Sequence, residues 1–257
     1  MSTTASETST ATSPVAASRR TATGTPFTRA LGLATIAGMV WLAAFGLLFS
    51  PQDVIQGESV RIMYVHVPTV YLAYLAFTVT AVCSAGFLWK RTRSLTWDRF
   101  AGAPAEIGVF FMAIALVTGS LWGSISWGTY WVWDARLTTS AFLFITYLGY
   151  LAVRRLGGSH EARARRSGIL GVLAVLEVPL VHFSVEWWRP LHQTESVKTG
   201  KIEDLMLVSL FVGIVTFTLF YVWLLLHRQR VMHMEDAMDD RGLDAALAER
   251  QREGAGA

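Results

Sequence analysis

Six long apolar stretches alternate with short polar segments along most of the chain. Each stretch is long enough to cross a bilayer core of about 30 Å as an α-helix that rises about 1.5 Å per residue. The pattern therefore predicts an all-α integral membrane protein with six transmembrane helices. The predicted helices cover residues 30–50, 66–89, 105–124, 137–154, 168–186 and 205–227.

Lysine and arginine fall unequally on the two sides of these helices. Of the 22 such residues, 17 lie before the first helix, between the second and third, between the fourth and fifth, or after the sixth. Cytoplasmic loops carry an excess of Lys and Arg, so both termini are predicted to be cytoplasmic. The outer loops are then 51–65, 125–136 and 187–204.

The two ends of the chain differ from the apolar middle. Residues 1–28 are rich in Ser, Thr and Ala and too polar to bury a core, which predicts a disordered cytoplasmic tail. The first apolar stretch begins too late and is too long to be a cleavable signal peptide. Residues 29–227 form the predicted membrane domain, and residues 228–257 a charged cytoplasmic tail.

Composition excludes several classes of function. The chain is 53% hydrophobic and 16% charged, whereas soluble domains are about 25% charged. Its single cysteine, Cys83, excludes an intrachain disulfide, a Cys-based zinc site and a CxxCH haem-attachment motif. The sequence has no P-loop motif and no basic run suited to nucleic acid. No Ser or Cys nucleophile stands beside a base, so no catalytic residue is predicted.

The segment WGTYWVWDARLTT at 127–139 places an unusual density of large rings in the loop between the third and fourth helices. Trp and Tyr concentrate at any bilayer interface, so a membrane anchor is one interpretation. A platform for a flat apolar ligand is the other, because aromatic rings pack well on planar π-systems. The residues alone leave both open. The rings concerned are those of Trp122, Trp127, Tyr130, Trp131 and Trp133.

A charge pair follows the rings at the start of the fourth helix. Asp134 is positioned to cap that helix. Arg136 is either its solvated partner or a two-pronged donor to a ligand carboxylate.

Two histidines flank this loop on the predicted outer side. His66 lies at the outer start of the second helix and His182 near the outer end of the fifth. A lone histidine is usually structural, but two at similar depth favour axial ligation of haem iron. Such ligation needs ring nitrogens about 4 Å apart, since each metal–imidazole bond is about 2 Å. His192 is a weaker candidate in the same region.

Glu177 is an acidic residue inside the fifth predicted helix. An acid at membrane depth is either a functional group or a protonated side chain bonded to a neighbouring helix.

The quoted segments resemble those of a known family. WGTYWVWDARLTT resembles the tryptophan-rich WWD signature of the haem-handling membrane proteins of cytochrome c maturation. RIMYVHVP and VHFSVEWWRPLHQ resemble the two histidine segments of one branch, the CcmC family. Six helices and the chain length also fit, and the resemblance covers residues 30–227.

The resemblance implies that haem b binds as a substrate at the outer face of the bacterial cytoplasmic membrane. His66 and His182 would be its axial ligands, and the WWD loop would present it. The recipient would be a periplasmic haem chaperone, CcmE, with CcmD nearby and with CcmA and CcmB supplying ATP hydrolysis. Any enzymatic role would be lyase-like, in attaching haem to the chaperone.

Two other classes of function stay open from the residues. One is a scaffold subunit of an ABC-type exporter complex that binds no haem. The other is a redox subunit, although its paired histidines would be expected at mid-depth rather than near the outer helix ends.

Overall fold

The computed structural model describes residues 24–192 and 202–255. Most of the predicted N-terminal tail lies outside the described residues, as do Arg19, Arg20, Lys198 and Lys201 of the charge count. Within the described ranges the chain is helical apart from short turns and one isolated bridge between Asp53 and Gly57.

Six helical segments are long and apolar enough to cross a membrane, which confirms the predicted fold class. The α-helices are α1 (Pro26–Trp41), α2 (Met63–Leu88), α3 (Leu95–Trp127), α4 (Ala135–Arg154), α5 (His160–Ala174), α6 (Glu177–Trp188) and α7 (Asp204–Ala255). A π-helix, Leu42–Phe49, continues α1, and a 3-10 helix, Glu58–Ile62, precedes α2. The fifth span consists of α5 and α6 together.

Two helices extend well beyond their predicted limits. α3 begins at Leu95 rather than residue 105, and α7 continues through the charged segment to Ala255 rather than stopping at residue 227. Hydropathy locates only the apolar part of a helix, whereas the backbone hydrogen bonds continue until a residue breaks them. The predicted charged tail is therefore helical in its described part.

A break divides the fifth span between Ala174 and Glu177. Pro179 has no backbone N–H, so it cannot donate to the carbonyl of Val175 one turn earlier. The amide of Val178 donates to that carbonyl instead, at 3.0 Å, in the tighter pattern of a 3-10 turn. The chain thus starts a new helix, α6, at Glu177.

The packing of the fifth span changes at this break. α2 lies centrally and packs against α3, α5 and α7, while α1 packs against α7. The first half, α5, packs against α2 and α4, but the second half, α6, packs chiefly against α4. The two histidine-bearing helices, α2 and α6, are therefore not close neighbours along their backbones.

The bundle has two chemically distinct ends. We call the end with loops 50–62, 128–134 and 189–192 the tryptophan end, and the opposite end the arginine end. At the arginine end the buried carboxylate of Asp98 binds the guanidinium groups of Arg154 and Arg163, with Oδ2 distances of 3.1 and 3.3 Å. This cluster ties α3, α4 and α5 together.

Candidate functional site

His66 lies near the start of α2, half-buried against α3 at the tryptophan end. Its Nδ1 is 3.1 Å from the hydroxyl oxygen of Thr118. A Cβ atom at Gly119 would lie 2.9 Å from His66 Cε1, so any larger residue there would push the imidazole from its present position on α3. One turn further along, the ring of Trp122 meets the imidazole edge to face, with centroids 5.9 Å apart.

Trp122 is held in turn by the first loop of the tryptophan end. Its indole Nε1–H donates to Gln56 Oε1 at 2.6 Å. Gln56 lies in a tight turn in which Asp53 Oδ1 accepts from the amides of Ile55 and Gln56 at 2.8 and 2.7 Å. A chain of contacts therefore runs from this turn through Trp122 to the imidazole of His66.

His182 lies on α6 and is also half-buried. Its ring meets the ring of Tyr74 on α2 edge to face, at 6.5 Å between centroids, and that of Phe183 at 4.9 Å. Tyr74 is eight residues beyond His66, about 12 Å along the axis of α2. Ligation of one iron by both His66 and His182 stays a prediction.

Arg136 connects α4 to the helix that carries His182. Its Nη1 donates to the backbone carbonyls of Val181 and His182 at 2.7 and 3.0 Å. The two partners expected from the sequence were Asp134 and a ligand carboxylate, and the observed partners are instead these two backbone carbonyls. The charged guanidinium of Arg136 also interacts electrostatically with the imidazole of His66.

The tryptophan-rich loop is fixed at both ends. Gly128, with φ of 74°, ends α3 in the left-handed conformation that glycine adopts readily. Asp134 caps α4 by accepting from the amide of Leu137 at 2.8 Å, which confirms the capping interpretation. Its other oxygen, Oδ2, is buried without a hydrogen-bond partner.

Between these ends the loop displays its rings at the surface. Trp133 is 77% exposed and Tyr130 is 65% exposed. Trp131 is half-buried, packs edge to face with Trp133 at 5.6 Å, and has an indole N–H that is buried without a partner. Trp127 lies at the end of α3, and the centroid of its ring is 6.3 Å from that of the His192 imidazole. The predicted aromatic residues thus occupy one end of the bundle together with both predicted histidines, and their roles toward a ligand stay predictions.

Glu177 begins α6 at the break in the fifth span. Its Oε1 accepts from the hydroxyl of Thr146 on α4 at 2.9 Å, and its Oε2 is buried without a partner. This arrangement fits the interpretation of an acid bonded to a neighbouring helix.

Sequence reasoning missed Gln56, Thr118 and Gly119. Thr118 and Gly119 precede Trp122 by four and three residues, so all three lie on one face of α3. A search of that face of α3 for residues that could contact the candidate histidines would have found Thr118 and Gly119. The sequence offers no comparable signal for Gln56, whose contact crosses from a separate loop.

The donor set fits a haem better than a bare metal ion. Among the described residues, no group of three or more His, Cys, Asp or Glu side chains could hold an ion. Iron inside a porphyrin already has four ligands and takes only axial ones from the protein. The two imidazoles are of the type that serves as axial ligands, and the exposed indole rings beside them suit the flat face of a porphyrin.

The fold and the site define a six-span α-helical membrane protein with an aromatic loop and two histidines at one end. A family model described as "Heme exporter protein C", CcmC, matches residues 9–242, and the chain belongs to this family. The match confirms the resemblance drawn from the three sequence segments.

Individual relatives agree with the family match. The chain is 41% identical to Heme exporter protein C of Haemophilus influenzae over 204 residues, which cover 78% of this chain and 80% of that protein. It is 40% identical to Heme exporter protein C of Bradyrhizobium diazoefficiens over 201 residues, 76% and 75% of the two chains. A putative cytochrome c biosynthesis ccmC-like mitochondrial protein of Arabidopsis thaliana is 37% identical over 174 residues, 66% and 65% of the two chains.

Proposed function

We propose that the protein binds haem b at the outer face of the bacterial cytoplasmic membrane and passes it to the periplasmic haem chaperone CcmE, for biogenesis of c-type cytochromes. Family membership and the names of the relatives support a role in haem export and cytochrome c maturation. One observation carries the site assignment: the imidazole of His66 packs against Trp122 at the same end of the bundle as the exposed tryptophan loop.

His66 and His182 are the proposed axial ligands of the iron. The packing of α6 on α4 supports this assignment, because the two histidine-bearing helices are not packed tightly against each other. Haem supplies the iron that accepts two imidazoles, and the protein supplies their placement and the apolar surroundings. The positive charge of Arg136 near His66 favours the carboxylates at the edge of a haem.

The exposed rings of the loop are the proposed surface for presentation. Trp133 and Tyr130 offer indole and phenol faces outside the bundle, while Trp131 packs beneath Trp133. Flat apolar rings of this kind bury large areas against a porphyrin. In this proposal the chaperone takes haem from the loop, and CcmA, CcmB and CcmD complete the export complex.

An absorption spectrum of the purified protein tests the proposal directly. We expect the wild-type protein to carry haem with a bis-imidazole spectrum, and the His66→Ala/His182→Ala double variant to lose it. His160→Ala is a matched control, because His160 lies at the arginine end beside Asp240. If the double variant keeps the wild-type spectrum, the axial assignment is wrong. A wild-type protein without a Soret band that still forms a stable complex would favour the scaffold function instead.

A further inference from the structure

We propose that Thr118 is a positioning residue that fixes the tautomer of His66, with the proton on Nδ1 and the free lone pair on Nε2. The tautomer assignment rests on hydrogen bonds within the chain. Its purpose, to present Nε2 to iron, rests on the proposed function. Thr118 contacts no ligand in this proposal and acts only through the imidazole.

The hydroxyl of Thr118 has a single hydrogen, and the surrounding atoms decide its direction. Thr118 Oγ1 lies 2.8 Å from the carbonyl oxygen of Ile114 and 3.2 Å from that of Ala115. A carbonyl oxygen can only accept, so the hydrogen between these oxygens must belong to Thr118. Toward any other neighbour the hydroxyl oxygen therefore acts as an acceptor.

That neighbour is Nδ1 of His66, at 3.1 Å. Because Thr118 accepts on this side, Nδ1 must carry a proton, and a neutral imidazole then has its lone pair on Nε2. The opposite tautomer would require the Thr118 hydroxyl to turn away from the carbonyl oxygens of Ile114 and Ala115 to donate to Nδ1, and it would leave a proton on Nε2, where iron must bind.

The neighbours of Thr118 also fix the orientation of the ring. Gly119 lies against Cε1, where an added Cβ atom would displace the ring, and Trp122 meets the imidazole edge to face. Both belong to the same face of α3 as Thr118. Partners of this kind hold metal-ligating histidines in one tautomer and one orientation, and their loss typically lowers metal affinity by about 10- to 100-fold.

The tautomer can be measured without haem. Nitrogen-15 NMR of the haem-free, histidine-labelled protein distinguishes protonated from unprotonated ring nitrogens, and His66→Gln assigns the His66 signals by their disappearance. We expect the Nδ1–H tautomer in the wild type and in Thr118→Ser, which keeps the hydroxyl. Thr118→Val, which keeps the shape and removes the acceptor, should shift His66 toward the Nε2–H form. An Nε2–H tautomer in the wild type, or no change in Thr118→Val, would overturn the proposal.

Haem titration provides the second measurement. We expect Thr118→Val to bind haem about 10- to 100-fold more weakly than the wild type, and Thr118→Ser to restore most of the affinity. Equal affinity of Thr118→Val and the wild type would overturn the positioning role. Failure of the wild type to bind haem would instead refute the proposed function, and the NMR measurement would still decide the tautomer.

Discussion

The imidazole of His66 and the indole of Trp122 lie edge to face, with ring centroids 5.9 Å apart and planes at 79°. The indole N–H on the far side of this contact is bound by Gln56. A loop outside the spans thereby restrains a side chain on α2 through a side chain on α3. The strength of this link can be tested at Gln56, which belongs to neither helix.

Replacing Gln56 by Leu removes the acceptor of the Trp122 indole N–H. We expect the free energy of unfolding to fall by about 1 kcal/mol, the typical net value of one hydrogen bond. We also expect the haem-loaded protein to lose haem faster, measured by transfer to apomyoglobin. Gln52→Leu is the control, because Gln52 is exposed in the same loop and pairs with Glu58. Equal rates of haem loss in both variants and the wild type would show that the hydrogen bond from Trp122 to Gln56 does not affect haem binding.

Replacing Arg136 by Gln removes the guanidinium that binds the carbonyls of Val181 and His182. Hydrogen bonds from charged groups contribute about 1.5–3 kcal/mol, so we expect α6 to open more often and to bind haem less tightly. Amide hydrogen exchange, compared between α6 and α5, measures the opening. Arg165→Gln serves as the control, since Arg165 is exposed at the arginine end. Unchanged exchange in α6 would show that the two hydrogen bonds do not restrain it.

Replacing Trp133 by Ala tests the presentation surface. Because the side chain is 77% exposed, we expect stability to change by no more than about 0.5 kcal/mol. Haem delivery to the purified chaperone should fall. Trp89→Ala is the matched control, because the side chain of Trp89 is 66% exposed and lies at the arginine end of α2. Equal haem delivery by the two variants would favour the interpretation of the loop as a membrane anchor.

Acid should release haem from the site. Iron binds the lone pair of a neutral imidazole, and protonation of His66 or His182 removes that lone pair. The haem complex should therefore be stable at neutral pH and dissociate as the pH falls. A spectroscopic titration from about pH 8 downward follows the loss of the bis-imidazole signal. A signal that survives until the protein itself unfolds would argue against histidine ligation.

At the opposite end of the bundle, Asp98→Ala should destabilise the fold strongly. Asp98 is 2% exposed, and its removal leaves the guanidinium groups of Arg154 and Arg163 without their shared anion. Breaking a buried ion pair in this way costs about 3–5 kcal/mol. Thermal unfolding in detergent measures the loss. Glu161→Ala is the control, because it removes the exposed partner of Arg93 and should change the unfolding temperature little. A similar fall in unfolding temperature in both variants would show that burial of the ion pair does not determine the loss of stability.

The sequence predicted the six spans because hydrophobic length is a local property of the chain. It also predicted the cap at Asp134, since an acid directly before an apolar helix is itself a local signal. The break in the fifth span has a sequence marker in Pro179, but proline in a membrane helix is compatible with a continuous span. The loss of packing against α2 beyond the break, while packing against α4 continues, is a tertiary event that no residue in the segment specifies.

The contacts that surround the candidate site depend on neighbours distant in sequence. Thr118 is 52 residues from His66, and Gln56 is 66 residues from Trp122. Arg136 was noticed for its charge, yet its partners are backbone carbonyls of another helix, which are present at every residue and carry no sequence signal. The candidate residues were therefore predictable by type, whereas their partners required the fold.

The length of α7 has a consequence away from the haem site. The helix has 52 residues, about 78 Å at 1.5 Å per residue, which is more than twice the thickness of a bilayer core. The part after His227 alone measures about 42 Å, and its first half stays on the bundle. Arg228 pairs with Glu106 of α3, and Asp236 and Asp240 pair with Arg163 and His160 of α5. The described helix then continues for 15 residues beyond Asp240, about 22 Å, so anything bound to its last turns would lie about that far from the arginine end.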